Sequence, residues 1–254
     1  MSLEALIFDV DGTLADTERD GHRVAFNRAF SDAGLDWRWD VDLYGQLLAV
    51  TGGKERMRHY VDRYRPDYAK PADFDVLVTR LHAAKTRHYT SLLGHGGIPL
   101  RPGVRRLLEE ARKAGMRLAI ATTTTPDNVT ALLRHAISPE AESWFEVIGA
   151  GDVVAAKKPA PDIYYYVLER LRLSSAQCVA FEDSENGLRA AQAADLATII
   201  TVNDYTRTHD FSGAAIVLDQ LGEPDRPFQV LSGRAVNGAS CLDLGLLRQL
   251  RTNA

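Results

Sequence analysis

At 254 residues the chain is long enough for one sizeable core and a smaller accessory unit. Its 45% apolar and 25% charged residues are an ordinary globular balance, and a formal charge of −4 leaves no basic field to hold nucleic acid or anionic lipid. Cys178 and Cys241 lie far apart and outside any Cys-x-x-Cys pattern, so neither a disulfide framework nor a zinc site is expected. A reducing, cytoplasmic setting follows as the expectation. No basic segment leads into an apolar one at the N-terminus, and no apolar run matches a bilayer, so neither a secretory leader nor a membrane partner is expected.

The first element is an apolar run over residues 3–8 that ends in Asp9, the pattern of a buried parallel strand. Residues 17–93 then show helical spacing and no strand. Val24, Phe26 and Phe30 share one face, Leu43, Leu47 and Leu48 another, Met57, Tyr60 and Val61 a third, and Leu77 and Leu81 a fourth. Trp37 and Trp39 are expected to pack where a loop joins two of these helices. The glycines at 94, 96 and 97 and the Arg101-Pro102-Gly103 turn mark a return to the sheet. A helix is expected over 104–114 with Gly115 as its stop, then a strand over 116–121 that runs into Thr122 to Thr125. The alternation continues with helix 127–135, strand 145–150, helix 162–173, strand 177–181 ending in Glu182-Asp183, helix 185–194, and strands 197–202 and 214–218. In the tyrosine run at 164–166 one ring is expected inside and the others amphipathic. Residues beyond about 221 are weakly patterned and are expected to form a surface extension. The fold class is therefore α/β, a Rossmann-like parallel sheet with helices on both faces, interrupted after its first strand by an all-helical insertion. The expected boundaries are 1–16 and 94–254 for the sheet unit and 17–93 for the insertion.

Ligands of such sheets bind beyond the carboxyl ends of the strands, and the polar residues there carry the chemistry. One strand ends in Asp9-Val10-Asp11-Gly12-Thr13, a second in Thr122, and a third in Glu182-Asp183; Lys158 precedes Pro159 at the entry to a helix. Four carboxylates brought together cannot all stay ionised without a cation. A hard divalent ion answers this, and Mg²⁺ suits a site that also holds phosphate. Asp9 or Asp11 can attack phosphorus while the other moves protons, and Lys158 and Thr122 are left to hold a phosphoryl group.

These four motifs, in this order, resemble the haloacid dehalogenase superfamily. The resemblance implies Asp9 as nucleophile, Asp11 as acid and base, and Thr122 and Lys158 as the other catalytic residues. It implies Mg²⁺ held by Asp9, the Asp11 carbonyl and Asp183, with Glu182 behind them, and it makes the helical insertion a small cap domain. A narrower resemblance spans nearly the whole chain. Asp16-Thr17-Glu18, Asp20-Gly21-His22-Arg23, the 51–56 loop, Thr122 to Thr125 with Asn128, and the 182–187 segment are similar to the CbbY-type xylulose-1,5-bisphosphate phosphatases. Those enzymes remove a misfire product that inhibits Rubisco. This likeness implies a sugar-phosphate substrate gripped by Glu18, Gly52, Gly53, Lys54 and Arg56 of the cap together with Thr123, Thr124 and Asn128 of the sheet unit. A monomer is expected.

Two rivals use the same residues. A β-phosphoglucomutase-like mutase would return the phosphoryl group to sugar, and the difference lies in how the cap excludes water. A non-enzymatic phospho-acceptor module would need neither a second aspartate nor an insertion. A nucleotide-dependent oxidoreductase is disfavoured, because no Gly-x-Gly-x-x-Gly is present.

Overall fold

The structure is a computed structural model that describes residues 2–96, 98–234, 236 and 238–251. Seven strands form one sheet: β1 (Ala5–Phe8), β2 (Arg117–Ala121), β3 (Val147–Gly149), β4 (Cys178–Glu182), β5 (Ala197–Thr201), β6 (Ile216–Leu218) and β7 (Val230–Gly233). Their spatial order is β3-β2-β1-β4-β5-β6-β7, and every pair is parallel except β6 with β7. β1 is an interior strand, with Phe8 opposite Ile120 on one side and Phe181 on the other.

Strand side chains alternate between the two faces, and both faces are covered. Leu6, Phe8, Ile120, Val179 and Phe181 pack on one side with Leu107, Leu108, Leu132 and Leu133 from α5 (Val104–Lys113) and α6 (Pro126–Ala136). Ala5, Ile7, Ala119, Ala121 and Ala180 pack on the other with Ile163, Tyr164 and Val167 of α7 (Asp162–Leu171) and Ala190 and Ala191 of α8 (Glu185–Ala193). The small alanines on this second face let those two helices approach the sheet. Of the three tyrosines of α7, Tyr164 is buried and Tyr165 is exposed.

Among the described residues between β1 and α5, the named elements are all helical. A turn of π-helix over Glu18–His22 leads into α1 (Arg23–Asp32), followed by α2 (Val41–Leu47), α3 (Gly53–Tyr64) and α4 (Phe74–Gly94). This block has its own core, in which Phe26, Phe30, Trp37, Trp39, Tyr44 and Tyr60 meet at ring separations of 4.7–6.4 Å. The two chain passages that connect it to the sheet touch each other, because Ala15 and Leu100 form an antiparallel bridge. Among the described residues no helix is long and apolar enough to cross a membrane.

The segment beyond residue 221 departs from the expectation of a surface extension. β7 adds an antiparallel edge to the sheet, and α9 (Leu244–Arg251) lays Leu244, Leu247 and Leu250 into the core beneath α5. Leu242 and Leu247 are fully buried. The spacing 244, 247, 250 is a helical stripe, but it is short and preceded by a polar, glycine-containing stretch that hides it.

Candidate active site

The catalytic motif begins where β1 ends. The Asp9 amide still donates to the Phe181 carbonyl at 3.0 Å, so Asp9 is held at the carboxyl end of the sheet. The chain then turns through Gly12 at φ +84°. A Cβ on Gly12 would lie 2.2 Å from Asp183 Oδ2, so both the conformation and the space require glycine. On one side, β2 delivers Thr122, whose amide donates to Gly149 O at 2.9 Å. Pro126 at the start of α6 fixes the turn after it, and Asn128 Nδ2 donates to Thr124 Oγ1 at 2.9 Å. On the other side, β4 delivers Glu182 and Asp183.

Lys158 ties the motifs together. Its ammonium donates to Asp9 Oδ1 at 2.7 Å, to the Ala121 carbonyl at 2.8 Å and to Glu182 Oε1 at 2.5 Å, which uses all three of its protons. Glu182 Oε1 also accepts from Tyr164 Oη at 2.5 Å. One carboxylate oxygen from each of Asp9, Glu182 and Asp183 lies within 4.8 Å of the others, and all three residues are buried. Burial and the neighbouring carboxylates Glu182 and Asp11 push Asp9 up to about 7 against the pull of Lys158. Asp183 is raised well above the ordinary range by burial and by Asp9 and Glu182. Such a cluster, with a single ammonium among three carboxylates, has the chemistry of a site for a divalent cation with oxygen ligands.

Asp11 faces away from that cluster toward the helical block. Burial works to raise its pKa, but His22 beside it, the Thr17 hydroxyl and the positive charge of Lys85 hold it below the usual carboxylate range. His22 Nε2 is 2.7 Å and Thr17 Oγ1 2.5 Å from Asp11 Oδ1. The π-turn that carries His22 closes on a bond from the Arg23 amide to the Glu18 carbonyl.

A cavity of about 320 Å³ joins the two units. Asp9, Asp11, Thr122, Thr123, Lys158, Glu182 and Asp183 line it from the sheet, and Glu18 and Arg56 from the helical block. A smaller space of about 40 Å³ opens beside it, lined by Gly52, Gly53, His22, Lys85, Thr124 and Asn128. Arg56 is buried; its Nη1 donates to Tyr44 Oη at 2.9 Å, and Tyr44 in turn donates to Glu18 Oε2 at 2.5 Å. Burial and the Glu18 carboxylate keep Tyr44 a neutral phenol, its pKa raised well above 10.

The structure therefore gathers all but one of the residues expected at the site. Lys54 lines neither space: its ammonium is 2.6 Å from Asp152 Oδ2 on the loop after β3. Lys157 lies 3.0 Å from the same aspartate and 3.0 Å from Glu55 Oε1, so Lys54 belongs to a charged contact between the helical block and the sheet unit. In the other direction, Tyr44, Lys85, Asn203 and Tyr205 border the site without having been singled out. A tyrosine, a lysine within a helix and a polar loop carry no motif of their own. Only the fold brings them to Asp11, Glu18 and Asp183.

A mostly parallel sheet with paired aspartates at the end of its first strand, a lysine between acidic residues and an inserted helical block over the cleft define a hydrolase class. The sequence matches the haloacid dehalogenase-like hydrolase family over residues 3–195, and the chain belongs to that family. Within it the chain groups with the CbbY proteins. It is 49% identical to the plasmid-borne Protein CbbY of Cupriavidus necator over 247 residues, 97% of this chain and 96% of that one. The crystal structure of CbbY from Rhodobacter sphaeroides in complex with phosphate superposes with a TM-score of 0.80 at 47% identity, covering 86% of this chain and 94% of that one. A structure of an Asp→Asn variant of that protein in complex with xylulose 1,5-bisphosphate gives the same TM-score at 46% identity and the same coverage.

Proposed function

We propose that this chain is a Mg²⁺-dependent sugar-phosphate phosphatase, with xylulose 1,5-bisphosphate, cleaved at its C1 phosphate, as substrate. The observation that carries this reading is the single cavity that joins the Asp9–Lys158–Glu182 cluster to Glu18 and Arg56 of the helical block. It brings a reacting centre and a second, cationic grip within reach of one small molecule. The solved complex of the related CbbY with xylulose 1,5-bisphosphate supports the choice of sugar.

In this reading Asp9 attacks phosphorus through a carboxylate oxygen, forming a P–O bond as the bond to the sugar oxygen breaks. Asp11, ionised beside His22, takes up a proton brought by the entering phosphate monoester, gives it to the departing oxygen, and then takes a proton from the water that cleaves the aspartyl-phosphate. Lys158 and Thr122 hold the phosphoryl oxygens. Residues 17–93 act as a cap over a core formed by 1–16 and 94–254. Arg56 meets the distal phosphate and Glu18 the sugar hydroxyls, with Gly52, Gly53, Thr123, Thr124 and Asn128 completing the wall; Lys54 serves at the rim through Asp152. Asp9, the main-chain carbonyl of Asp11 and Asp183 would hold the Mg²⁺, with Glu182 behind them. When bound, the ion neutralises the carboxylates and the phosphoryl oxygens. A cytoplasmic monomer without nucleic-acid or membrane partners completes the proposal, supported by the charge of −4 and by two cysteines that form no disulfide.

The test is a panel of sugar mono- and bisphosphates assayed for free phosphate. Xylulose 1,5-bisphosphate should give the highest kcat/KM and release one phosphate per molecule. A mutase would instead yield an isomeric phosphate without free phosphate. Absence of phosphate release across the panel would overturn the assignment.

A further inference from the structure

Asp183 is in a different position from its neighbours. Asp9 and Glu182 are fixed by Lys158, whereas no salt bridge reaches Asp183 among the described residues. A carboxylate that is to ligate a cation needs a fixed orientation, and a charged partner would compete with the cation for it. A neutral donor orients without that competition. The residue that fills this role comes from the next strand. β5 ends at Thr201, and Asn203, two residues on, donates from Nδ2 to Asp183 Oδ2 at 2.6 Å.

The orientation of this amide is settled by its other end. Asn203 Oδ1 accepts from the Tyr205 amide at 2.9 Å, so the NH₂ group is the end that faces Asp183. The turn around it is closed by the Asn203 amide donating to Thr206 Oγ1 at 3.0 Å and the Thr206 amide donating back to the Asn203 carbonyl at 3.1 Å. From below, the pair rests on the catalytic loop. A Cβ on Gly12 would come within 2.2 Å of Asp183 Oδ2 and 2.6 Å of Asn203 Nδ2, so both side chains lie close against the Gly12 main chain. Oδ2 of Asp183 is thus committed to Asn203, which leaves Oδ1 as the oxygen without a hydrogen-bond donor to share among the described residues. Ligation through one oxygen suits the tight octahedral demand of Mg²⁺ better than a bidentate carboxylate would.

We infer that Asn203 is a positioning residue that fixes the Asp183 carboxylate for the cation, an inference that rests on the metal reading given above. Partners of this kind behind a metal ligand are worth roughly 10–100-fold in metal affinity. The experiment titrates Mg²⁺ into metal-stripped protein by calorimetry, for the wild type, Asp183→Asn, Asn203→Ala and Asn203→Ser. Serine can still accept from the Tyr205 amide and keep the turn, but its hydroxyl is too short to reach Asp183. Both Asn203 variants should bind Mg²⁺ roughly 10–100-fold more weakly than the wild type. Their KM for the sugar phosphate at saturating Mg²⁺ should stay near the wild-type value, whereas a general loss of structure would raise it. Wild-type Mg²⁺ affinity in Asn203→Ser, alongside a large loss in Asp183→Asn, would overturn the role of Asn203 alone. Equal Mg²⁺ binding by the wild type and Asp183→Asn would overturn the metal reading itself.

Discussion

Lys85 offers a measurement that reads the electrostatics of the site without any substrate. It lies on α4, buried, with its ammonium 5.2 Å from the ring centres of both Phe26 and Tyr89. Burial lowers its pKa from 10.5 to about 8, and the positive charge of Arg56 works the same way; the attraction of Asp11 and Glu18 is too weak to restore it. His82, on the same helix, is itself lowered to about 4 by burial and by Lys85. In the unfolded chain the lysine keeps its proton up to about pH 10.5. Between about pH 8 and 10.5 the unfolded chain therefore binds the extra proton, and stability rises with pH across that window. Below pH 8 the penalty is constant. At 1.36 kcal/mol per pKa unit it amounts to about 3 kcal/mol. Methionine has a similar length, no charge and a good fit to aromatic rings, so Lys85→Met should be more stable than the wild type at pH 7 by up to about 3 kcal/mol. That corresponds to a rise in Tm of about 6–12 °C for a chain of this size. The assay is thermal unfolding of both proteins at pH 7 and at pH 10, where most of the gain should vanish. The same variant should lose about tenfold in kcat/KM for the bisphosphate, since it removes a positive charge from the wall of the site. A variant less stable than the wild type at pH 7, or a gain that does not shrink at pH 10, would refute the reasoning.

Three further outcomes are expected. Asp11→Asn should form phospho-enzyme from an ester with a good leaving group but hydrolyse it slowly, as seen in rapid-quench traces; equal loss for good and poor leaving groups with no trapped intermediate would contradict the acid–base role. Tyr44→Phe keeps the ring in its aromatic cluster but removes the hydroxyl between Arg56 and Glu18. It should lower kcat/KM for the bisphosphate by roughly tenfold, the worth of charge-assisted bonds, while a small phosphate ester is hydrolysed at close to the wild-type rate. Leu247→Ala should destabilise the protein by about 2–5 kcal/mol in urea unfolding, as for other buried leucines. No loss there would mean that α9 is dispensable to the core.

What could be read from the sequence was what sits at strand ends. Asp9, Thr122 and Glu182-Asp183 each close an apolar run, so β1, β2 and β4 and their ligands were visible together. The strands 145–150 and 214–218 were placed correctly but proved shorter, three residues each. The tail was misjudged for a physical reason: β7 is exposed throughout and has no alternating apolar pattern, so only its pairing with β6 reveals it. Lys54 stands apart from the other expected substrate residues, on Asp152, because a glycine-rich loop followed by basic residues looks the same whether the cation faces inward or across the cleft. Asn203 reaches Asp183, and Tyr44 joins Arg56 to Glu18, through hydrogen bonds between residues far apart in sequence, a relation that no spacing encodes.

The position of β1 also governs when the active site can come into existence. During synthesis the residues of the helical block meet partners within the block, so its aromatic core can close while the rest of the chain is still unmade. Asp9 is made before any of it, yet its strand pairs with β2 and β4, which arrive much later. Until Asp183 has been added, Asp9 lacks the neighbouring β4 and the acidic pair at its end. A nascent chain can therefore close its helical block before the centre exists, and the site is complete only once β4 docks beside β1.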